Sequence, residues 1–199
     1  DIPTFARADS WPAQTGRNLL GAPLAILGGG GITESFLSLI EPWGCDVTVV
    51  RRQTDPVFGA AHTVTTDELD DVLGRVDAVI IALALTSETQ GIIDTGRLQA
   101  MRNDAWLLNV GRGGHVITGD LINALRNNEI AGAVLDVTDP EPLPDGHPLW
   151  ELDNCLITPH VGNTPAMGLP LIADRVRENV ARWIAHEPLV GPVDVELGY

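Results

Sequence analysis

A doubly wound α/β fold, an open parallel sheet with helices on its faces, is predicted by three observations. Short apolar runs recur without the alternation of a half-buried strand, the longest being AVIIALAL at 78–85; such runs mark strands buried on both faces. Segments of helical periodicity separate them, as a parallel sheet requires. Four glycines, Gly28 to Gly31, stand between the first strand and the first helix, where a tight turn can bring backbone close to a ligand.

In chain order, the strand LAIL at 24–27 precedes the glycines, ITESFLSLI at 32–40 makes a helix, and DVTVV at 46–50 is the second strand. A short third strand is expected near 62–64, a short helix over ELDDVL at 68–73, and a fourth strand over DAVIIAL at 77–83. A helix over about 95–101 leads to the strand AWLLNV at 105–110. Thr118 is expected as the N-cap of GDLINALRNN, with Asn128 in the left-handed position at its end. GAVLD and NCLIT complete the sheet, whose two faces should both be covered. The last helix is expected over about 170–185, with Leu169, Ile172, Val176, Val180 and Trp183 in one apolar stripe.

Composition narrows the function. The chain has 199 residues and is 44% hydrophobic, enough for one domain with a sizeable core. Its formal charge of −15 would repel a phosphate backbone, which argues against nucleic acid and anionic membrane surfaces. All 12 basic residues are arginine, so Schiff-base chemistry and lysine-bearing phosphate loops are excluded for these residues. No apolar run is long enough to span a bilayer, and the N-terminus lacks the order of a signal peptide. Cys45 and Cys155 carry no metal spacing and read as buried thiols. A cytoplasmic protein is expected.

Three charged residues each follow a separate apolar run: Arg112 after AWLLNV, Asp136 after GAVL, and His160 after CLITP. In an open parallel sheet, ligands bind outside the carboxyl ends of the strands, so a cation, an acid and an imidazole should meet there. Glu141, in the loop TDPEPLPDGHP, can reach back to orient the imidazole. His62, His115, His147 and His186 lack such company and are expected at the surface or in loops, with His115 the one to watch beside Arg112. Trp106 and Trp150 read as core or interface aromatics.

Gly28 and Gly30 hold the first two positions of the dinucleotide fingerprint, so the sheet is expected to be Rossmann-type. The third position is Thr33, a β-branched residue where glycine permits close helix-to-strand contact, and Glu34 must point away from a bound phosphate. Where a ribose-binding carboxylate usually ends the second strand, Arg51 and Arg52 stand instead. Guanidinium groups cannot accept hydroxyl protons but can grip a 2′-phosphate, so NADP is expected before NAD.

From Gly16 onward the chain resembles the D-isomer-specific 2-hydroxyacid dehydrogenases, through GRNLLGAPLAILGGGGI, LALTSET, LLNVGRGGHVITGDLINAL, IAGAVLDVTDPEPLPDGHPLW, NCLITPHVGNT and EPLVGPVDVELGY. The resemblance implies that Arg112 binds the carboxylate and carbonyl of a 2-oxo acid, that His160 is the general acid/base, and that Glu141 pairs with it. It implies that Asp136 contacts the nicotinamide end of the cofactor. Backbone around Gly31, Ile32, Leu83, Val110 and Gly111, with Gly162 and Asn163, would line the rest of the groove. The reaction implied is hydride transfer between NAD(P) and a small 2-oxo or 2-hydroxy acid, as in a glyoxylate or hydroxypyruvate reductase.

Some departures qualify the resemblance. The family usually has proline where Ala84 and Ser87 stand, so a looser loop is expected there. Formate dehydrogenases of the superfamily carry glutamine in place of Glu141, so the carboxylate favours hydroxyacid chemistry. Family members also carry a substrate domain, of about 100 residues, ahead of the dinucleotide domain. The expected organisation is a lead-in at 1–20, a dinucleotide-binding domain at 21–163, and a helix and tail at 164–199 that would return to a substrate domain absent from this chain. The resemblance further implies a homodimer. A reading of another class, a nucleotide-sensing corepressor of the same fold, shares these motifs.

Overall fold

The computed structural model describes residues 17–195. Seven strands, β1 Pro23–Leu27, β2 Asp46–Val50, β3 His62–Val64, β4 Ala78–Ile81, β5 Trp106–Asn109, β6 Gly132–Leu135 and β7 Cys155–Ile157, form one parallel sheet. Its order is β3-β2-β1-β4-β5-β6-β7, with the reversal between β1 and β4. The helices are α1 Gly31–Ile40, α2 Leu69–Leu73, α3 Thr95–Ala100, α4 Thr118–Arg126 and α5 Pro165–Ile184. This is the doubly wound, Rossmann-type sheet with a C-terminal helix.

Side chains on β1 alternate between two cores, as the pleat requires. Leu24 and Ile26 pack with Leu37 and Ile40 of α1, whereas Ala25 and Leu27 join Leu69, Leu73, Leu98 and Leu121 from α2, α3 and α4. Each fully buried Leu or Ile contributes about 1.5–3 kcal/mol relative to exposure.

The register aligns the strand ends. Leu27 is level with Val50 and Ile81, Ile81 with Asn109, Asn109 with Leu135, and Leu135 with Ile157. The next residues, Gly28, Arg51, Ala82, Val110, Asp136 and Thr158, therefore emerge together along the carboxyl edge.

Three expectations need correction. The last helix begins at Pro165, not near 170, because proline at the first helical position needs no N–H partner. Pro170 then lies inside α5 and leaves the Ala166 carbonyl without its usual helical donor, which an exposed helix tolerates. Thr118 is not the N-cap: Ile117 takes that position, and the Thr118 hydroxyl donates instead to the Asp139 carbonyl at 2.7 Å. The sheet is not fully covered on both faces, since Trp106 and Leu156, on one face of β5 and β7, remain half exposed. Of the two readings of Trp106 and Trp150, core or interface, exposure removes the first; Trp106 lies across Gly132, and the exposed Trp150 donates its indole N–H to the Pro144 carbonyl.

Other details agree. Asn128 adopts φ 52° after α4, and the stripe on α5 is exposed from Leu169 to Trp183, with Gly168 its one buried residue. Of the lead-in, only residues 17–20 lie within the described part; Arg17 pairs with Asp77 and Asp104, and Leu19 packs against the α1 core. No helix among the described residues is long and apolar enough to cross a membrane. Both cysteines are free but only partly buried, short of the buried thiols expected, and what burial Cys155 has pushes its thiol up to about 11.

Candidate active site at the carboxyl edge

The glycine turn is built by close approach. Gly28, at φ 108°, passes so near the chain after β4 that a Cβ would lie 2.5 Å from the Ala82 carbonyl oxygen. Gly30 is the N-cap of α1 with no side-chain cap, and a Cβ on Gly30 or Gly31 would meet nothing within 4 Å. That arrangement suits an anionic group at the helix start. Thr33, the departure from the fingerprint, is fully buried and donates its hydroxyl to the Gly28 carbonyl at 2.7 Å, so the β-branched side chain ties the turn instead of prising it open. Glu34 and Ile32 are exposed.

Arg51 follows β2 and lies along this turn. A Cβ on Gly29 would meet its Cδ at 2.9 Å and a guanidinium nitrogen at 3.2 Å. Its other terminal nitrogen donates to Gln53 at 3.3 Å, and Arg52 is exposed beside it. Leu83 is half-buried, and the following loop, expected to be loose, is held by Thr89, whose hydroxyl donates to the Ala84 carbonyl at 2.7 Å and accepts from the Thr86 N–H at 2.9 Å.

Arg112 leaves β5 through a clamped turn. The buried Asn109 amide donates to the Arg112 carbonyl at 2.9 Å and accepts from the Gly111 N–H at 3.1 Å. Val110 and the Arg112 side chain are exposed at the edge, and Gly113 packs into the backbone of Thr138 and Asp139. The expectation for His115 fails here. Its ring is fully buried, with Nδ1 against the Arg112 backbone and Nε2 without a hydrogen-bond partner among the described residues. His62 is exposed near Asp46, and His147 and His186 are loop residues as expected.

His160 and Glu141 meet across two loops, with Nδ1 2.6 Å from Oε1. The hydrogen bond from His160 holds the Glu141 carboxyl below its usual range, against a smaller desolvation effect; the Thr138 N–H and the positive charges of His160 and Arg112 add to it. His160 itself adopts φ 51°, a left-handed conformation for a non-glycine residue.

Asp136 braces that conformation. One carboxylate oxygen accepts from the Thr158 hydroxyl at 2.5 Å and the Val161 N–H at 3.0 Å; the other accepts from the Gly162 N–H at 2.9 Å. Burial alone would raise this carboxyl, but the hydroxyl, the two amides and His160 outweigh it and hold it below the ordinary range. Asn163 lies against Gly168 of α5, where a Cβ would meet its amide at 3.3 Å.

Arg112, Asp136, Glu141 and His160 are thus brought to one edge, with Gly28, Gly30, Gly31, Ile32 and Arg51 at the glycine turn. Sequence reasoning missed Asn109 and Thr158, the residues that clamp them. The available signal was a polar residue ending each of the runs WLLN and CLIT.

A parallel sheet with its glycine turn at the strand reversal defines a dinucleotide-binding domain. The sequence model of the D-isomer specific 2-hydroxyacid dehydrogenase, NAD binding domain, matches residues 2–162, and the chain belongs to this family. It is 43% identical over 176 residues to an uncharacterized protein in the proB 3′ region of Corynebacterium melassecola, covering 88% of this chain and 58% of that protein. It is 32% identical over 177 residues to the glyoxylate/hydroxypyruvate reductase A of Photorhabdus laumondii, covering 88% and 56%. A crystal structure of a D-isomer specific 2-hydroxyacid dehydrogenase from Xanthobacter autotrophicus Py2, in complex with NADPH and MES, superposes with a TM-score of 0.85 at 34% identity, covering 95% of this chain and 77% of that one. The chain thus spans little more than half the length of these two curated relatives.

Proposed function

We propose that this chain is the dinucleotide-binding part of an NADP-preferring oxidoreductase that reduces small 2-oxo acids such as glyoxylate or hydroxypyruvate to 2-hydroxy acids. The observation that carries the reading is the 2.6 Å contact between His160 and Glu141, at the strand edge where the β5 turn also carries Arg112. A carboxylate only accepts, so the Nδ1 proton faces Glu141 and Nε2 is left for a substrate oxygen. The reductase name of the Photorhabdus relative and the NADPH in the Xanthobacter structure agree with it.

The residues present fit the cofactor. Gly28, Gly30 and the start of α1 would take its pyrophosphate, Arg51 and Arg52 its 2′-phosphate, and Leu83, Val110, Gly111, Gly162 and Asn163 would border its nicotinamide half. When bound, a reduced nicotinamide supplies the hydride for C2 of the 2-oxo acid. Arg112 would pair with the substrate carboxylate and stabilise charge growing on the carbonyl oxygen. His160 donates the proton to that oxygen, and takes it back in the reverse direction. Glu141 fixes the ring. Asp136, most of whose acceptor sites already hold the 158–162 loop, keeps His160 in place and has limited capacity left for a nicotinamide amide.

The exposed stripe on α5 supports a homodimer, and two unpaired thiols suit a reducing, cytoplasmic setting. The intact protein is to be assayed for NADPH oxidation with glyoxylate and with hydroxypyruvate. Turnover with either supports the proposal; none with any small 2-oxo acid overturns it.

A further inference from the structure

Among the described residues three polar side chains are fully buried: Thr33, Asn109 and His115. Thr33 ties the glycine turn. The other two both close on the backbone of Arg112, Asn109 through its amide and His115 through Nδ1. A buried imidazole that keeps an unpaired nitrogen is uncommon in native proteins and asks for an explanation.

Nδ1 of His115 faces two groups of the Arg112 backbone, the carbonyl and the N–H. The Arg112 carbonyl takes the Asn109 amide at 2.9 Å and the His115 N–H at 3.2 Å. The Arg112 N–H faces Nδ1 of His115 at 3.1 Å. Nδ1 also lies 2.9 Å from the Arg112 carbonyl oxygen, to which it would donate in the other tautomer, so in either tautomer the ring closes on the Arg112 backbone, and with Nδ1 bare it holds the Arg112 N–H.

That N–H belongs to the same rigid peptide plane as the Gly111 carbonyl. The Gly111 carbonyl in turn accepts from the Arg112 guanidinium at 2.7 Å. His115 thus holds one end of a plane whose other end grips the Arg112 side chain, while Arg112 is extended at φ −144° and ψ 148°. Room for the ring comes from Gly111, where a Cβ would lie 3.1 Å from Cε1 of His115.

We propose that His115 is a positioning residue that sets the direction of the Arg112 guanidinium through the Gly111–Arg112 peptide. The proposal rests on the reading of Arg112 as the group that binds the substrate carboxylate.

The test compares His115→Leu, His115→Asn and His115→Gln in the intact protein, with Arg112→Lys as the control. The Leu variant is expected to raise the KM for the 2-oxo acid about tenfold, to leave NADPH affinity unaltered, and to speed hydrogen exchange at the Arg112 amide. Asn, whose side-chain oxygen replaces Nδ1, should restore KM to within about threefold of the native value. Gln, whose amide reaches towards the place of Nε2, should not. If Arg112→Lys raises KM and His115→Leu does not, the positioning role is overturned while the Arg112 reading stands. If Arg112→Lys leaves KM unaltered, the Arg112 reading and the positioning role fall together. Should the Leu variant not fold, Asn and Gln variants of equal thermal stability decide, and equal KM values for those two overturn the proposal.

Discussion

Gly113 stands so close to Thr138 that a Cβ on it would lie 2.0 Å from the Thr138 carbonyl oxygen. The turn that carries Arg112 is therefore keyed into the loop that carries Glu141, backbone against backbone, with no flexible side chain to give way. Gly113→Ala is expected to separate the two loops and to destabilise the chain by about 1–3 kcal/mol, the usual cost of overpacking. Urea denaturation measures the loss, and turnover of the intact variant should fall more than its stability does. An alanine variant as stable and active as the native protein would show that the two loops are not keyed together.

His160→Ala is expected to reduce turnover by about 10²-fold or more while leaving cofactor affinity nearly unchanged. Glu141→Gln keeps a hydrogen-bond acceptor but removes the charge that holds the imidazole, so it should reduce turnover less. Steady-state rates and NADPH fluorescence titration read the two effects separately. An unchanged rate for His160→Ala would move the acid/base role elsewhere.

Acid should release the His160 loop. The carboxyls of Asp136 and Glu141 both lie below their ordinary range. Their contribution is present above the unfolded value, about 4, and is lost as pH falls through the depressed native values. Thr158→Val removes the 2.5 Å hydroxyl donor to Asp136, so its carboxyl should titrate at higher pH and the loop should loosen earlier on acidification. Carboxyl carbon NMR titration of Asp136 in the two chains checks this; coincident curves would contradict it.

Arg51 lies along the glycine turn where a ribose carboxylate would otherwise stand. A charge-assisted contact to a 2′-phosphate is worth roughly 1.5–3 kcal/mol, or about 10- to 150-fold in affinity. NADPH should therefore bind more tightly than NADH by a factor in that range, and Arg51→Asp should flatten or reverse the preference. Equal affinities in the native chain, unaffected by the substitution, would return the cofactor to NAD.

The exposed stripe on α5 is expected to be covered by a second copy. Light scattering at micromolar concentration should give a dimer, and a charge in the middle of the stripe, as in Val176→Glu, should shift it towards monomer. A native monomer mass would overturn the dimer.

The apolar runs and the glycine turn determined the parallel α/β architecture from sequence alone, because strands buried on both faces cannot afford polar alternation. The same reading placed Arg112, Asp136 and His160 just past strand ends, which in such a sheet means one edge. Register decided the rest. Which strand end stands level with which depends on hydrogen bonds between runs far apart in the chain, and only these bring Glu141 to 2.6 Å from His160. The role of Thr118 was also invisible in its own segment, since it is set by a backbone partner 21 residues away, the Asp139 carbonyl; His115 lies only three residues from its Arg112 partner, but no periodicity marked its ring as buried. A side chain's partner in the folded chain is a property of the packing, and sequence pattern records packing only where it repeats.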